Sequence, residues 1–176
     1  MRSIANAGAP VGVMTGNRDF LLGARFTEAA GATLLPEQIV IDVAGTPTLL
    51  LHGDELCTAD VDYQRFRRIA RNARYQRAFL AFPYPLRWRV ASLMRRKSAS
   101  STATKPEAIM DVEKRAVEQA FRAAKVTRII HGHTHRPAHH RLLVDGRDCE
   151  RWVLADWYGR GSYLEFDANG GRTREV

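Results

Sequence analysis

Apolar residues in this chain come in short runs that stop abruptly at polar ones. Val11 to Thr15 runs into Gly16-Asn17-Arg18-Asp19, which predicts a strand ending in a polar turn. Gln38 to Val43 and Pro47 to Leu51 are rich in β-formers, and Ala44-Gly45-Thr46 between them has the length of a hairpin loop. The second run delivers His52-Gly53-Asp54, and Thr127 to Ile130 delivers His131-Gly132-His133-Thr134-His135. Further on, His140 to Val144, the Asp145-Gly146 turn, Arg151 to Leu154 and Ser162 to Phe166 together predict an antiparallel meander. Helix formers fill Ala108 to Ala124, behind Thr104-Lys105-Pro106-Glu107, where Thr stands three residues ahead of Glu as in a capping box. Strands therefore alternate with helical stretches, and the expected class is α/β, with the sheet covered by helices.

Residues 58–105 break this rhythm. An Arg-rich helical stretch from Asp60 to Arg77 gives way to an aromatic stretch interrupted by Pro83 and Pro85, then to Arg95-Arg96-Lys97 and a Ser/Thr-rich loop. A chain of 176 residues, 45% hydrophobic and 26% charged, suffices for one core and not for two. Residues 1–176 are thus expected to form a single domain, with 58–105 as a helical lid inserted into it. No apolar run is long enough to span a bilayer, and residues 1–15 lack the order of a secretory signal, which predicts a cytoplasmic location. Cys57 and Cys149 have neither disulfide-scaffold nor Cys-x-x-Cys spacing and are expected to be reduced and chemically idle.

The net charge of +8 is concentrated: residues 58–105 carry twelve Lys or Arg against Asp60 and Asp62, and the rest of the chain is slightly acidic. Such a segment suits nucleic acid, anionic lipid or a polyphosphate. Its aromatics cluster with aliphatics and prolines instead of being spaced as stacking platforms, so no nucleic-acid partner is expected. Phe79, Phe82, Trp88, Leu93 and Met94 offer apolar area, fringed by Arg87, Arg89, Arg95, Arg96 and Lys97, a composition suited to acyl chains and an anionic membrane surface.

The chemistry rests on histidine. Imidazole nitrogen and amide or carboxylate oxygen are ligands for divalent metals. His133 and His135 share a face if their run stays extended, and His52 and Asn17 each end an apolar run of their own. His139 and His140, beyond Pro137, are expected at the surface.

Gly16-Asn17-Arg18-Asp19, His52-Gly53-Asp54 and Gly132-His133-Thr134-His135 resemble, in order, the Gly-Asn-x-[Asp/Glu], Gly-His and Gly-His-x-His motifs of calcineurin-like metallophosphoesterases. Longer strings narrow the resemblance: Gly16 to Gly23, Leu51 to Thr58, Ile109 to Val112 and Ile130 to Ala138 are similar to the UDP-2,3-diacylglucosamine pyrophosphatases of lipid A biosynthesis. The resemblance implies a metallophosphoesterase sandwich of sheets flanked by helices and a two-metal site, with manganese favoured over zinc. It places Asn17, His52 and His133 on one metal and His135 on the other, Arg18 beside the substrate phosphate, and Asp60, Ser98, Thr102 and Lys105 on the sugar phosphate. His133 would also touch the phosphate. The implied reaction cleaves the pyrophosphate of UDP-2,3-diacylglucosamine to UMP and 2,3-diacylglucosamine 1-phosphate, on the inner face of the inner membrane and with no obligate protein partner.

The family's Asp-x-His and Gly-Asp motifs have no counterpart ahead of Asn17. An N-terminally truncated domain is therefore expected, with an exposed sheet edge, low solubility and a second metal site short of ligands. Two other readings stand beside the pyrophosphatase one: a metallophosphoesterase for a soluble nucleotide or phosphomonoester, and a non-catalytic lipid-binding remnant.

Overall fold

The computed structural model of the chain describes residues 1–104, 109, 111–158, 161–167 and 169–175, giving the backbone alone for Lys97 and residues 99–104. Its centre is a five-stranded mixed sheet in the order β3-β4-β5-β7-β6, made of β3 (Gln38–Val43), β4 (Thr46–Leu51), β5 (Arg128–His131), β6 (Ala138–Val144) and β7 (Arg147–Val153). The three inner strands run parallel, and an antiparallel hairpin partner closes each side. This bears out the mixed α/β class.

Both hairpins turn on two residues, shorter by one in the first case than its sequence suggests. Ala44-Gly45 (φ 52° and 78°) and Asp145-Gly146 (φ 50° and 75°) keep φ positive throughout, the signature of turns whose twist matches that of the strands they join. In the first, the Asp42 carboxylate also accepts a bond from the Gly45 N–H at 2.9 Å.

Strand alternation gives the sheet two faces. Leu49 and Leu51 of β4, Ile129 of β5 and Cys149 of β7 point one way, onto α6 (Lys114–Ala124), which inserts Val117 and Phe121 one helical turn apart. Phe121 is fully buried, and sealing a side chain of that size contributes about 2–3 kcal/mol. Arg128, Ile130 and Trp152 point the other way. There Phe166 of β8 (Ser162–Asp167) packs edge-on against Trp152 and under the Arg128 guanidinium. β8 does not extend the β6–β7 hairpin into the expected meander. It pairs with β9 (Gly170–Glu175) in a separate two-stranded sheet, held to the main one by side chains.

Other elements are shorter or longer than the sequence pattern suggests. Only Gly12–Val13 of the first run is a strand, β1, paired in parallel with β2 (Thr33–Leu34). Between them, α2 (Ala24–Ala30) ends at Gly31 in the left-handed conformation, and a short α1 (Arg2–Asn6) precedes β1. The Arg-rich stretch is two helices, α3 (Val61–Ala70) and α4 (Ala73–Ala81), because Asn72 breaks the run and caps the second by accepting from Arg74 N–H. α5 (Tyr84–Thr104) starts where Pro83 offers its carbonyl and continues through the Ser/Thr-rich stretch expected to be a loop. The second half of the expected 108–124 helix is α6, and the capping-box residues 105–107 lie outside the described residues. Among the described residues no helix is long and apolar enough to cross a membrane.

Candidate metal centre

The parallel pairing of β4 with β5 sets the site. Leu51 stands opposite His131, so His52-Gly53 and Gly132-His133 leave adjacent strand ends side by side, at the carboxyl edge where parallel sheets gather their functional loops. Gly132 N–H donates to His52 O at 3.0 Å and extends the ladder by one bond. Gly53 adopts φ 109°, and a Cβ there would stand 2.7 Å from His131 Nδ1, so only glycine fits between the two strand ends.

Across this junction the His52 and His133 rings meet edge to face with centroids 5.1 Å apart. Burial lowers both pKa values, that of His133 to about 4, with the His52 charge as a second cause. Both imidazoles are therefore neutral at physiological pH, the state in which they ligate metals. His52 Nε2 is buried and makes no hydrogen bond. A buried polar atom without a partner costs roughly 1–3 kcal/mol, a cost an incoming cation removes. The Gly16-Asn17 loop closes on the same ring: a Cβ on Gly16 would lie 2.7 Å from His52 Cε1, which brings the Asn17 segment alongside. Arg18 is exposed, and its charge contributes to lowering the His133 pKa.

His135 does not join this pair through strand alternation. β5 ends at His131, and His133 and His135 take left-handed φ values of 68° and 55°. For residues other than glycine such backbone is strained and gathers at functional sites. His135 turns to Asp156, its Nδ1 2.9 Å from Oδ2, and its ring stacks on Tyr158. Among the described residues no three His, Cys, Asp or Glu side chains converge closely enough to hold an ion on their own. The side chains here that could hold a metal are the His52–His133 pair, and Asn17 follows Gly16 on the adjoining loop.

Beneath the pair lies a network that the sequence pattern concealed. Asp54 is fully buried, and its carboxylate accepts from Tyr63 Oη and, at 3.0 Å, from Arg67 Nε. Burial works to raise its pKa, but the Tyr63 and Glu55 hydrogen bonds and the Arg67 charge outweigh it and hold the carboxyl well below the usual range. Arg71, at the C-terminal cap of α3 one turn beyond Arg67, donates to Thr15 Oγ1 at 3.0 Å and to the carbonyls of Thr15 and Gly16 at 3.1 and 3.2 Å. One face of α3 therefore fastens the His52 loop to the Asn17 loop. Of the basic residues of the 58–105 segment expected to form a lid, Arg67 and Arg71 are largely buried, with side chains 16% and 10% exposed. The available signal was spacing: Tyr63, Arg67 and Arg71 recur every four residues, which is one helix face.

The remaining candidates scatter. Asp60 is buried and caps α3, accepting from Tyr63 N–H at 3.0 Å. Ser98 is exposed on α5. Lys105 and the Thr102 side chain lie outside the described residues. His139 is at the surface as expected, yet stacks on Trp152 at 3.7 Å and meets Glu150 at 2.9 Å. On α4, α5 and the turn between them, Leu80, Phe82, Tyr84, Trp88, Leu93 and Met94 are exposed, and Tyr84, Pro85, Trp88 and Arg89 line a shallow groove.

No family model matches the chain. A UDP-2,3-diacylglucosamine hydrolase of Cellvibrio japonicus is 46% identical over 170 residues, covering 97% of this chain and 71% of that protein. Proteins of the same name from Serratia proteamaculans and Pseudomonas aeruginosa are each 45% identical, covering 96% and 98% of this chain and 70% and 72% of their own lengths.

Proposed function

The chain belongs to the UDP-2,3-diacylglucosamine hydrolase family, and on that premise we propose that it takes part in metal-dependent hydrolysis of the pyrophosphate of UDP-2,3-diacylglucosamine, giving UMP and 2,3-diacylglucosamine 1-phosphate. The observation that carries the reading is the His52–His133 pair: two neutral imidazoles at adjacent strand ends, one with a buried nitrogen that has no partner.

In this reading Asn17, His52 and His133 hold one manganese ion and His135 belongs to the second. The ions, when bound, supply Lewis acidity and a hydroxide at neutral pH. The protein's own groups do the rest. Arg18 brings a guanidinium to where charge grows on the phosphoryl oxygens, through charge-assisted hydrogen bonds. His133, on its strained backbone, reaches the same phosphate. Asp60, Ser98, Thr102 and Lys105 engage the sugar phosphate, while the Tyr63–Asp54–Arg67 network keeps the loops in register. The exposed apolar and basic side chains of α4 and α5 support docking of the lipid-linked substrate from an anionic surface, in keeping with work at the inner face of the inner membrane.

The deciding experiment follows manganese-dependent UMP release from UDP-2,3-diacylglucosamine, with an Asn17→Ala, His133→Ala variant beside the unmodified chain. Turnover that needs manganese and disappears in the variant is the expected result. Vesicle binding by both proteins with no UMP from either would favour lipid binding without catalysis.

A further inference from the structure

The segment leaving β7, residues 154–158, closes on the His135 ring from two sides. Leu154 N–H donates to His131 O at 2.8 Å, so the pairing of β5 with β7 runs one residue beyond the end of β7 and brings the segment to the start of the 132–135 loop. Asp156 Oδ2 then lies 2.9 Å from His135 Nδ1, and the Tyr158 ring stacks on the imidazole with centroids 6.2 Å apart and planes 16° from parallel.

A carboxylate only accepts hydrogen bonds, so the proton of a neutral His135 ring sits on Nδ1 and the lone pair on Nε2. We infer that Asp156 is a positioning residue: it holds His135 in the Nδ1–H tautomer, with the ring pinned against Tyr158, and leaves Nε2 as the available donor atom. This deepens the metal reading above and rests on it only for what Nε2 then binds. The left-handed backbone of His135 gives the contact a purpose, because a residue held at φ 55° needs surrounding bonds to keep it there. The stack alone fixes the ring plane but leaves the proton free to sit on either nitrogen, and the carboxylate removes that freedom.

The experiment is long-range ¹H–¹⁵N NMR of the imidazole nitrogens at about pH 8.5, above the ordinary imidazole range. It compares the unmodified chain with Asp156→Ala and Asp156→Asn, and a His135→Gln variant identifies the resonance. Asp156 is partly exposed, so both substitutions leave the core intact. The unmodified chain and Asp156→Asn, whose amide oxygen still accepts, are expected to show Nδ1–H, and Asp156→Ala an Nε2–H or mixed population. An unchanged tautomer in Asp156→Ala would overturn the inference, as would Nε2–H in the unmodified chain. Manganese titration, read by loss of the free-ion electron paramagnetic resonance signal, tests the metal side independently. Affinity about 10- to 100-fold weaker in Asp156→Ala, with Asp156→Asn near the unmodified value, is expected. If no protein binds manganese, the metal reading fails, while the tautomer result still decides the role of Asp156.

Discussion

Arg67 of α3 donates from Nε to Asp54 Oδ2 across 3.0 Å, joining the helix to the loop that carries His52 through a carboxylate with no solvent exposure. Breaking such a pair from one side costs far more than the pair contributes, because the other charge stays buried. Arg67→Ala should therefore destabilise the fold by about 3 kcal/mol. Urea denaturation checks this, and a loss well under that size would mean that Tyr63 and Arg71 suffice to satisfy Asp54.

Removal of His52 should separate function from stability. His52→Ala deletes a buried nitrogen that has no partner, so the metal-free protein should lose less stability than a cavity of that size alone implies. Manganese at a hundredfold excess over its Kd should raise the stability of the unmodified chain by about 2.7 kcal/mol and leave that of the variant unchanged. Thermal melts with and without the ion test both halves.

Acid should weaken the fold through His131. This fully buried ring accepts a bond from Arg151 at 2.8 Å and bonds the Gly132 carbonyl through Nδ1, and burial lowers its pKa to about 4. Its folded pKa lies below the unfolded value, so between about pH 6.5 and 4 the unfolded chain binds the proton and the folded one does not. The contribution of His131 is thus complete above that window and shrinks as pH falls through it. With a chelator present, the urea midpoint should drop on this limb, and His131→Gln should flatten it.

At the first hairpin, Ala44 holds a φ of 52° that asparagine and glycine adopt more readily. Ala44→Asn should raise stability by roughly 0.5–1 kcal/mol with no change in metal binding. A lower melting temperature would show that Ala44 makes a contact worth more than its strain.

For the lipid surface, Trp88→Asp combined with Arg95→Glu and Arg96→Glu should abolish binding to phosphatidylglycerol vesicles, each lost cation alone being worth about 1 kcal/mol near an anionic surface. Sedimentation with vesicles measures it, and full retention of binding would place the membrane contact elsewhere.

The hairpins, the ligand-bearing loops and the α6 core were legible in the sequence because each depends on local pattern: a turn dipeptide, an apolar run ending in histidine, Val117 and Phe121 at helical spacing. What escaped depends on partners far along the chain. Charge composition placed Arg67 and Arg71 with the rest of the basic 58–105 lid, and only tertiary contact shows them bonded to Asp54, Thr15 and Gly16. Strand periodicity suggested a shared face for His133 and His135, but β5 ends at His131 and both residues take left-handed backbone beyond it. β8 reads as the third strand of a meander with β6 and β7, but it pairs with β9 instead, and Phe166 packs on the face of the main sheet.

The glycine between the strand ends has a last implication. With a Cβ at position 53 barred by the His131 ring, the gap between the His52 and His133 loops is fixed by a hydrogen atom. Alanine there would act as a wedge between the two strand ends, pressing on the His131 ring and the Gly132 carbonyl. A residue with no side chain of its own thus keeps two histidine loops at one spacing, and its neighbours, not its chemistry, decide that it stays glycine.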